Sequence, residues 1–189
     1  MTDNENVETA TSSFKQDASK SIQAFNRFGV PVMKAALGAK KIISTEHHKN
    51  EIEKFLDQEA GIDALAVVKN GTVYPVACRL QFDKRYDSFS LRRSRPNDKT
   101  TEHAKLAEAF RTGGLMPKYH LQGFVETTRQ TAIVAVTETV DLIKYVDKHP
   151  DQWRKNNKDN VTFYYCPWRE LDKVKVYLVD EKGNVKRTI

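Results

Sequence analysis

Cysteine is almost absent from this chain. The two that occur, Cys78 and Cys166, lie far apart in apolar β-like runs, which predicts small buried thiols in a reducing compartment rather than a disulfide. No Cys/His pairs stand at metal-binding spacing. His47 and His48 are adjacent, so on a helix they point to different sides and make a poor ligand pair, better suited to an exposed helix start. The eight glycines form neither a phosphate-cradling loop nor a nucleophile elbow. No apolar run approaches the roughly 20 residues of a membrane span, and Met1 is followed by TDNENVETATSS rather than by a basic region and an apolar segment. A soluble, cytoplasmic protein is expected. No internal repeat is seen.

What is present suits one globular domain. At 189 residues, with 39% hydrophobic and 30% charged side chains, the chain can bury about two thirds of its unfolded surface. The net charge of +6 permits a polyanionic partner such as nucleic acid. Its distribution matters more than its sum. Arg79, Lys84, Arg85, Arg92, Arg93, Arg95 and Lys99 form the densest basic region, interrupted only by Asp83, Asp87 and Asp98. These seven are the candidate nucleic-acid-binding residues; the alternative is a solvated strand face with edge-protecting charges.

Residues 1–12 are polar and lack apolar periodicity, as in a disordered tail. From Phe14 to Phe28 the spacing of Ala18, Ile22 and Phe25 predicts a helix, and Pro31 allows a second short one through Met33, Leu37 and Lys41. Ser44 or Thr45 can cap the next helix, whose apolar stripe is Ile52, Phe55 and Leu56. Gly61 ends it. Ile62 to Val68 reads as a central strand, and Asn70-Gly71 predicts a type I′ turn into an antiparallel strand over Thr72 to Phe82. Asp87 to Arg93 alternates as a third strand.

Thr100 or Thr101 can cap a helix through Phe110, stopped by Gly113-Gly114. Glu102 and Lys105 belong by default to its solvated face. Tyr119–Glu126 and Thr131–Val136 read as strands, Thr137 as the cap of a helix to Lys148, and 154–160 as a polar loop. Phe163–Cys166 and Val174–Val179 are the last strands. The aromatics Phe163, Tyr164, Tyr165 and Trp168 are expected to cover a sheet and fill the core rather than to stack on bases. The order predicts an α/β fold: a mixed β-sheet flanked by helices, with a C-terminal βαβ extension.

The phrase LDQEAGIDALAV, spanning a helix end, a glycine turn and an acid-bearing strand, resembles the corresponding part of the PD-(D/E)XK nuclease-like superfamily, as does the element order over about residues 45–126. FYYCPWREL is similar to a tail seen in small phage and bacterial members. The resemblance implies a restriction-endonuclease-like core (αβββαβ) and the division 1–12 tail, 13–44 N-terminal helical segment, 45–189 nuclease-like domain. Asp63 matches the acid that binds the catalytic Mg²⁺. On the next strand either Ala77 stands for the second acid and Arg79 for the lysine, or Arg79 and Gln81 occupy the site face. Glu51 or Glu59 of the preceding helix would have to supply a missing ligand.

A hard cation wants several oxygen ligands, and a permanently protonated arginine stabilises charge rather than serving as a base. The expected catalytic set is therefore Asp63, Arg79 and Glu51, with Asp63 on the metal. Two functions follow as expectations. One is a nuclease-like protein of phage or mobile-element type that binds nucleic acid through a basic cleft, with Mg²⁺-dependent hydrolysis weak or lost. The other is a non-catalytic interaction protein that binds and modulates a host protein.

Overall fold

The computed structural model describes residues 19–45, 50–94, 96, 101–156 and 160–188. Its sheet is built outward from the hairpin of β2 (Ala64–Val68) and β3 (Val73–Phe82). The register pairs Ala64 with Val76 and Val67 with Val73, so three residues, Lys69 to Gly71, close the turn. Val68 N–H bonds to Thr72 O at 2.9 Å and Gly71 N–H to Val68 O at 3.0 Å. Gly71 alone takes positive φ there, 84°. This is the longer hairpin loop with a left-handed glycine bulge, not the expected two-residue type I′ turn, which needs positive φ at both central residues.

β1 (Ala39–Ser44) flanks β2 antiparallel. On the other side β5 (Tyr119–Glu126) runs parallel to β3, reached through α3 (Glu102–Thr112) as the crossover helix a parallel pair requires. β6 (Thr131–Glu138), β9 (Lys175–Val179) and β10 (Val185–Arg187) complete a seven-stranded mixed sheet, each antiparallel to its neighbour. A second, three-stranded sheet joins β4 (Ser88–Ser94), β8 (Thr162–Pro167) and β7 (Trp153–Lys155).

One face of the large sheet is covered by α1, a helical run over 19–37 that passes through a π turn at Phe25–Gly29. There Val30 N–H reaches back to Phe25 O, an offset that suits the missing N–H of Pro31 in the next turn. Phe25, Phe28, Val32 and Met33 bury against Val76, Leu121, Val134 and Val179. The other face carries α3, α4 (Thr139–Lys148) and the small sheet, with Phe89, Leu91, Leu142, Cys166 and Trp168 in its core. Cys166 is fully buried and Cys78 half-buried, both unbridged; burial pushes the Cys166 thiol up to about 12, with Glu170 nearby adding to it. Among the described residues no helix is long and apolar enough to cross a membrane.

The mixed sheet flanked by helices is as expected, but several elements differ. Gly38, at φ 67°, ends α1 after Leu37, so Lys41 lies in β1 rather than in a helix, and the segment read as wholly helical over 13–44 contributes a strand. Asn50, not Ser44 or Thr45, caps α2 (Glu51–Gln58), accepting from Glu53 N–H at 2.9 Å. Thr45 instead donates its hydroxyl to Ile62 O. The apolar stripe of α2 is not buried: Ile52 is 72% and Phe55 51% exposed. β4 pairs with β8 rather than following β3, so the three-stranded meander is β1–β2–β3. The tail, His47 and His48 lie outside the described residues.

Gly123 marks the tightest approach in the sheet. A Cβ there would sit 2.6 Å from Leu80 Cδ2 and 2.9 Å from Val134 Cγ2, inside van der Waals contact. Gly123→Ala is expected to destabilise the fold by about 1–3 kcal/mol through overpacking, measured as a lower urea midpoint with an unchanged m-value. An equal or higher midpoint would contradict this packing.

Candidate functional site

Strand alternation sends β3 side chains to two places. Val76, Cys78, Leu80 and Phe82 pack against the α1 core, whereas Ala77, Arg79 and Gln81 point to the opposite face. Both registers considered for the second motif therefore lie on one face, because they differ by two residues. Ala77 and Arg79 line a cavity of about 350 Å³ together with Asp63, Arg92, Glu102 and His120. Asp63 stands just ahead of β2, and its Oδ2 accepts the Cys78 N–H at 2.5 Å, tying it to the strand opposite.

Glu102 opens α3 and is drawn into this cavity. Its Oε2 accepts from the Arg79 guanidinium at 2.8 Å and from Arg92 N–H at 3.1 Å. His120 Nε2 lies 3.7 Å from Oε1, an electrostatic rather than a hydrogen-bonding distance, while its Nδ1 meets the Thr139 hydroxyl at 2.9 Å. Burial alone would raise the pKa of Glu102, but the charge of Arg79, with the His120 ring beside it, overcomes that and holds it at about 2. The carboxylate is ionised throughout the neutral range. Arg79 is further fixed by Ser90, donating to its carbonyl oxygen at 2.6 Å and to its hydroxyl at 3.1 Å.

A second depression, a trough of about 720 Å³, runs between the end of β3 and the small sheet. Ser90 and Gln122 line both spaces, and Ser90 N–H bonds to Gln122 Oε1 at 2.9 Å. In the small sheet Arg92, Phe163 and Arg154 stand in register across β4, β8 and β7, so their side chains share a face. The Arg79 and Arg92 guanidinium groups lie 5.8 and 6.0 Å from the Phe163 ring centre, and Arg154 lies 4.3 Å over Tyr165. Lys84, Arg154 and Lys155 line the trough, and none of its described lining residues is a carboxylate.

The expected residues are thus divided. Asp63, Arg79 and Arg92 meet in the cavity, and Lys84 lies in the trough. Arg85 is held by Asp87 through bonds of 2.5 and 3.0 Å. Arg93 covers Trp153 and Tyr164 at 4.7 and 5.8 Å, on the face opposite Phe163, so the basic cluster is split by strand alternation. Glu51, in the exposed first turn of α2, does not line the cavity, and Glu59 pairs at 3.5 Å with Lys105 at its rim. Arg95 and Lys99 lie outside the described residues.

Sequence reasoning missed Glu102, His120, Gln122, Arg154 and Lys155. For Glu102 a signal existed: it stands four residues before Leu106, the buried residue of α3, and so shares its face. Arg154 and Lys155 were assigned to a loop, but Trp153–Lys155 is an edge strand. Phe163 and Tyr165 are half-buried rather than core; of the four aromatics Trp168 alone is buried.

Comparison with protein-family models, with curated proteins and with solved structures gives no match.

Proposed function

We propose that this chain is a nuclease-like nucleic-acid-binding protein that holds a phosphodiester backbone along the trough and into the Asp63 cavity, with hydrolysis weak or lost. The observation that carries the reading is the shared wall: a cationic trough with no carboxylate among its described lining residues meets, at Ser90 and Gln122, the cavity holding Asp63, Arg79 and Arg92. Lys84, Arg154 and Lys155 in the trough attract phosphates, and Arg92, beside the Phe163 ring that lines the trough, is the cavity cation assigned to receive one. Arg79, already engaged by Glu102 and Ser90, contributes mainly by shaping the site.

The element order supports a restriction-endonuclease-like core. In chain order α1, β1, β2, β3, α3 and β5 follow the αβββαβ order that the resemblance implies, with α2 inserted between β1 and β2 and β4 between β3 and α3. The reading draws on Asp63 ahead of β2 and Ala77-Cys78-Arg79 on the adjacent β3, with the acid-bearing strand second in the meander rather than first.

The donor set does not fit a dedicated Mg²⁺ site. Asp63 already accepts a backbone N–H, Ala77 offers a methyl where a second acid is needed, and Glu102 is committed to Arg79. Among the described residues no cluster of three metal-ligating side chains occurs, whereas Mg²⁺ is ordinarily held by one or two carboxylates with water and substrate phosphates. Plasmid, single-stranded DNA and RNA incubated with Mg²⁺ or Mn²⁺ are expected to be cut no faster by the wild type than by Asp63→Asn, while both proteins bind. Cleavage that disappears in Asp63→Asn would contradict the loss of hydrolysis.

A second reading, a modulator that binds a host protein, is favoured by the exposed Ile52 and Phe55 of α2, an apolar stripe of the kind used in helix-mediated recognition. Absence of nucleic-acid binding would move the assignment to it.

A further inference from the structure

We infer that the trough takes single-stranded nucleic acid, with bases stacked on the aromatic rings of the small sheet and phosphates on the cations beside them; the inference rests on the nucleic-acid reading above. Charge gives the class of ligand. Lys84, Arg154 and Lys155 stand in a depression whose described lining lacks any Asp or Glu, although acids make up 25 of the 189 residues. An acid-free cationic wall favours a polyanion.

The rings give the strandedness. Tyr86, Phe163 and Tyr165 line the same trough. Tyr86 is 46% exposed, and its backbone carbonyl accepts the Tyr165 hydroxyl at 2.7 Å, which fixes the Tyr165 ring. Arg154 over Tyr165, and Arg79 and Arg92 beside Phe163, present planar guanidinium groups next to planar rings. A base has two such surfaces to stack on, and Arg adds a cation–π contribution. Bases inside a duplex are already stacked on one another, so only an unpaired strand can use these rings. A positively charged groove that tracks the backbone, lined with rings that accept any base, is the pattern of sequence-tolerant single-strand binding.

The depth of the trough adds direction. Its wall at Ser90 and Gln122 is also the wall of the Asp63 cavity, so a strand stacked on Phe163 leads its backbone toward Arg92.

The test uses the full chain and fluorescence anisotropy with labelled oligothymidine and oligouridine of about 12 nucleotides, within the roughly 4–16-nucleotide site sizes of single-strand binders, beside a duplex of the same length. The expected result is single-strand binding about 10-fold or more tighter than duplex binding; the two single strands separate DNA from RNA, and binding of either supports the inference. Phe163→Leu, which keeps an apolar side chain but removes the ring, should weaken single-strand binding about 5-fold or more and leave duplex binding unchanged, as expected for losing one stacked base. Tyr86→Leu repeats the test at a more exposed position; because the Tyr86 ring meets the buried Phe124 edge-on at 6.0 Å, the urea midpoint of each variant is measured beside its affinity, and an unchanged midpoint assigns the loss to stacking. Duplex binding equal to single-strand binding, or wild-type affinity in both variants, overturns the inference while the nucleic-acid reading stands. No binding to any of the three probes overturns both.

Discussion

Glu102→Gln is expected to cost about 3 kcal/mol of stability at neutral pH, one of the largest effects available from a single side chain in this protein. The substitution preserves shape but removes the negative charge that faces Arg79 at 2.8 Å and accepts Arg92 N–H. Arg79, held among Ser90 and Phe163, then remains a poorly hydrated cation without its counter-charge. The same interaction is visible in pH. The folded pKa of Glu102 is about 2 against 4.5 for a free glutamate side chain, so the unfolded chain binds its proton first as pH falls. The stabilisation is therefore complete above about pH 5 and is lost progressively down to about pH 2; the shift corresponds to about 3 kcal/mol. Urea unfolding of wild type and Glu102→Gln over this range should show a gap that closes with acid. Parallel curves would contradict the assignment. In Arg79→Met/Glu102→Met both charges are gone, and most of the lost stability should return, because removal of a whole, partly buried pair costs less than removal of one partner.

Lys84→Gln/Arg154→Gln/Lys155→Gln is expected to bind single-stranded oligonucleotide about 100-fold more weakly than wild type at ~0.1 M salt. Each neutralised phosphate on a single strand releases about 0.7 counterion, so each lost contact costs about 0.7 log unit at that concentration, and three cost about two. The three positions line the trough and the side chains are partly or fully exposed, so the fold should tolerate their change. Arg85→Gln and Arg93→Gln serve as the contrast. Arg85 is satisfied by Asp87 and Arg93 lies on the far face over Trp153, so neither should change affinity by more than about 2-fold. If the triple variant binds as the wild type does, the trough is not the binding surface.

The parts of this molecule that were legible in its sequence are those governed by local chemistry. Asn70-Gly71 marked the hairpin, Gly113 the end of α3, and the alternation of Ala77 and Arg79 put one face of β3 toward a common space with Asp63. What alternation does not encode is the partner of a strand. Ser88–Ser94 presents Phe89 and Leu91 to a core equally well in either sheet, and its pairing with β8 is decided by residues some 70 positions away. β1 was hidden for a different reason: Lys40 and Lys41 dilute its apolar signal, although Gly38 just before it is a glycine helix stop. In the site, Glu102 falls by default on the solvated face of its helix. Only the position of β4 shows that it faces Arg79. The basic cluster was legible as composition but not as a surface, since neighbouring arginines on a strand point opposite ways.

Affinity for a single-stranded oligonucleotide measured across a salt series tests the central claim most directly. With Lys84, Arg154 and Lys155 on phosphates, the logarithm of the association constant should fall linearly with the logarithm of salt concentration at a slope of about −2. A slope indistinguishable from zero, or no binding at low salt, would contradict the account.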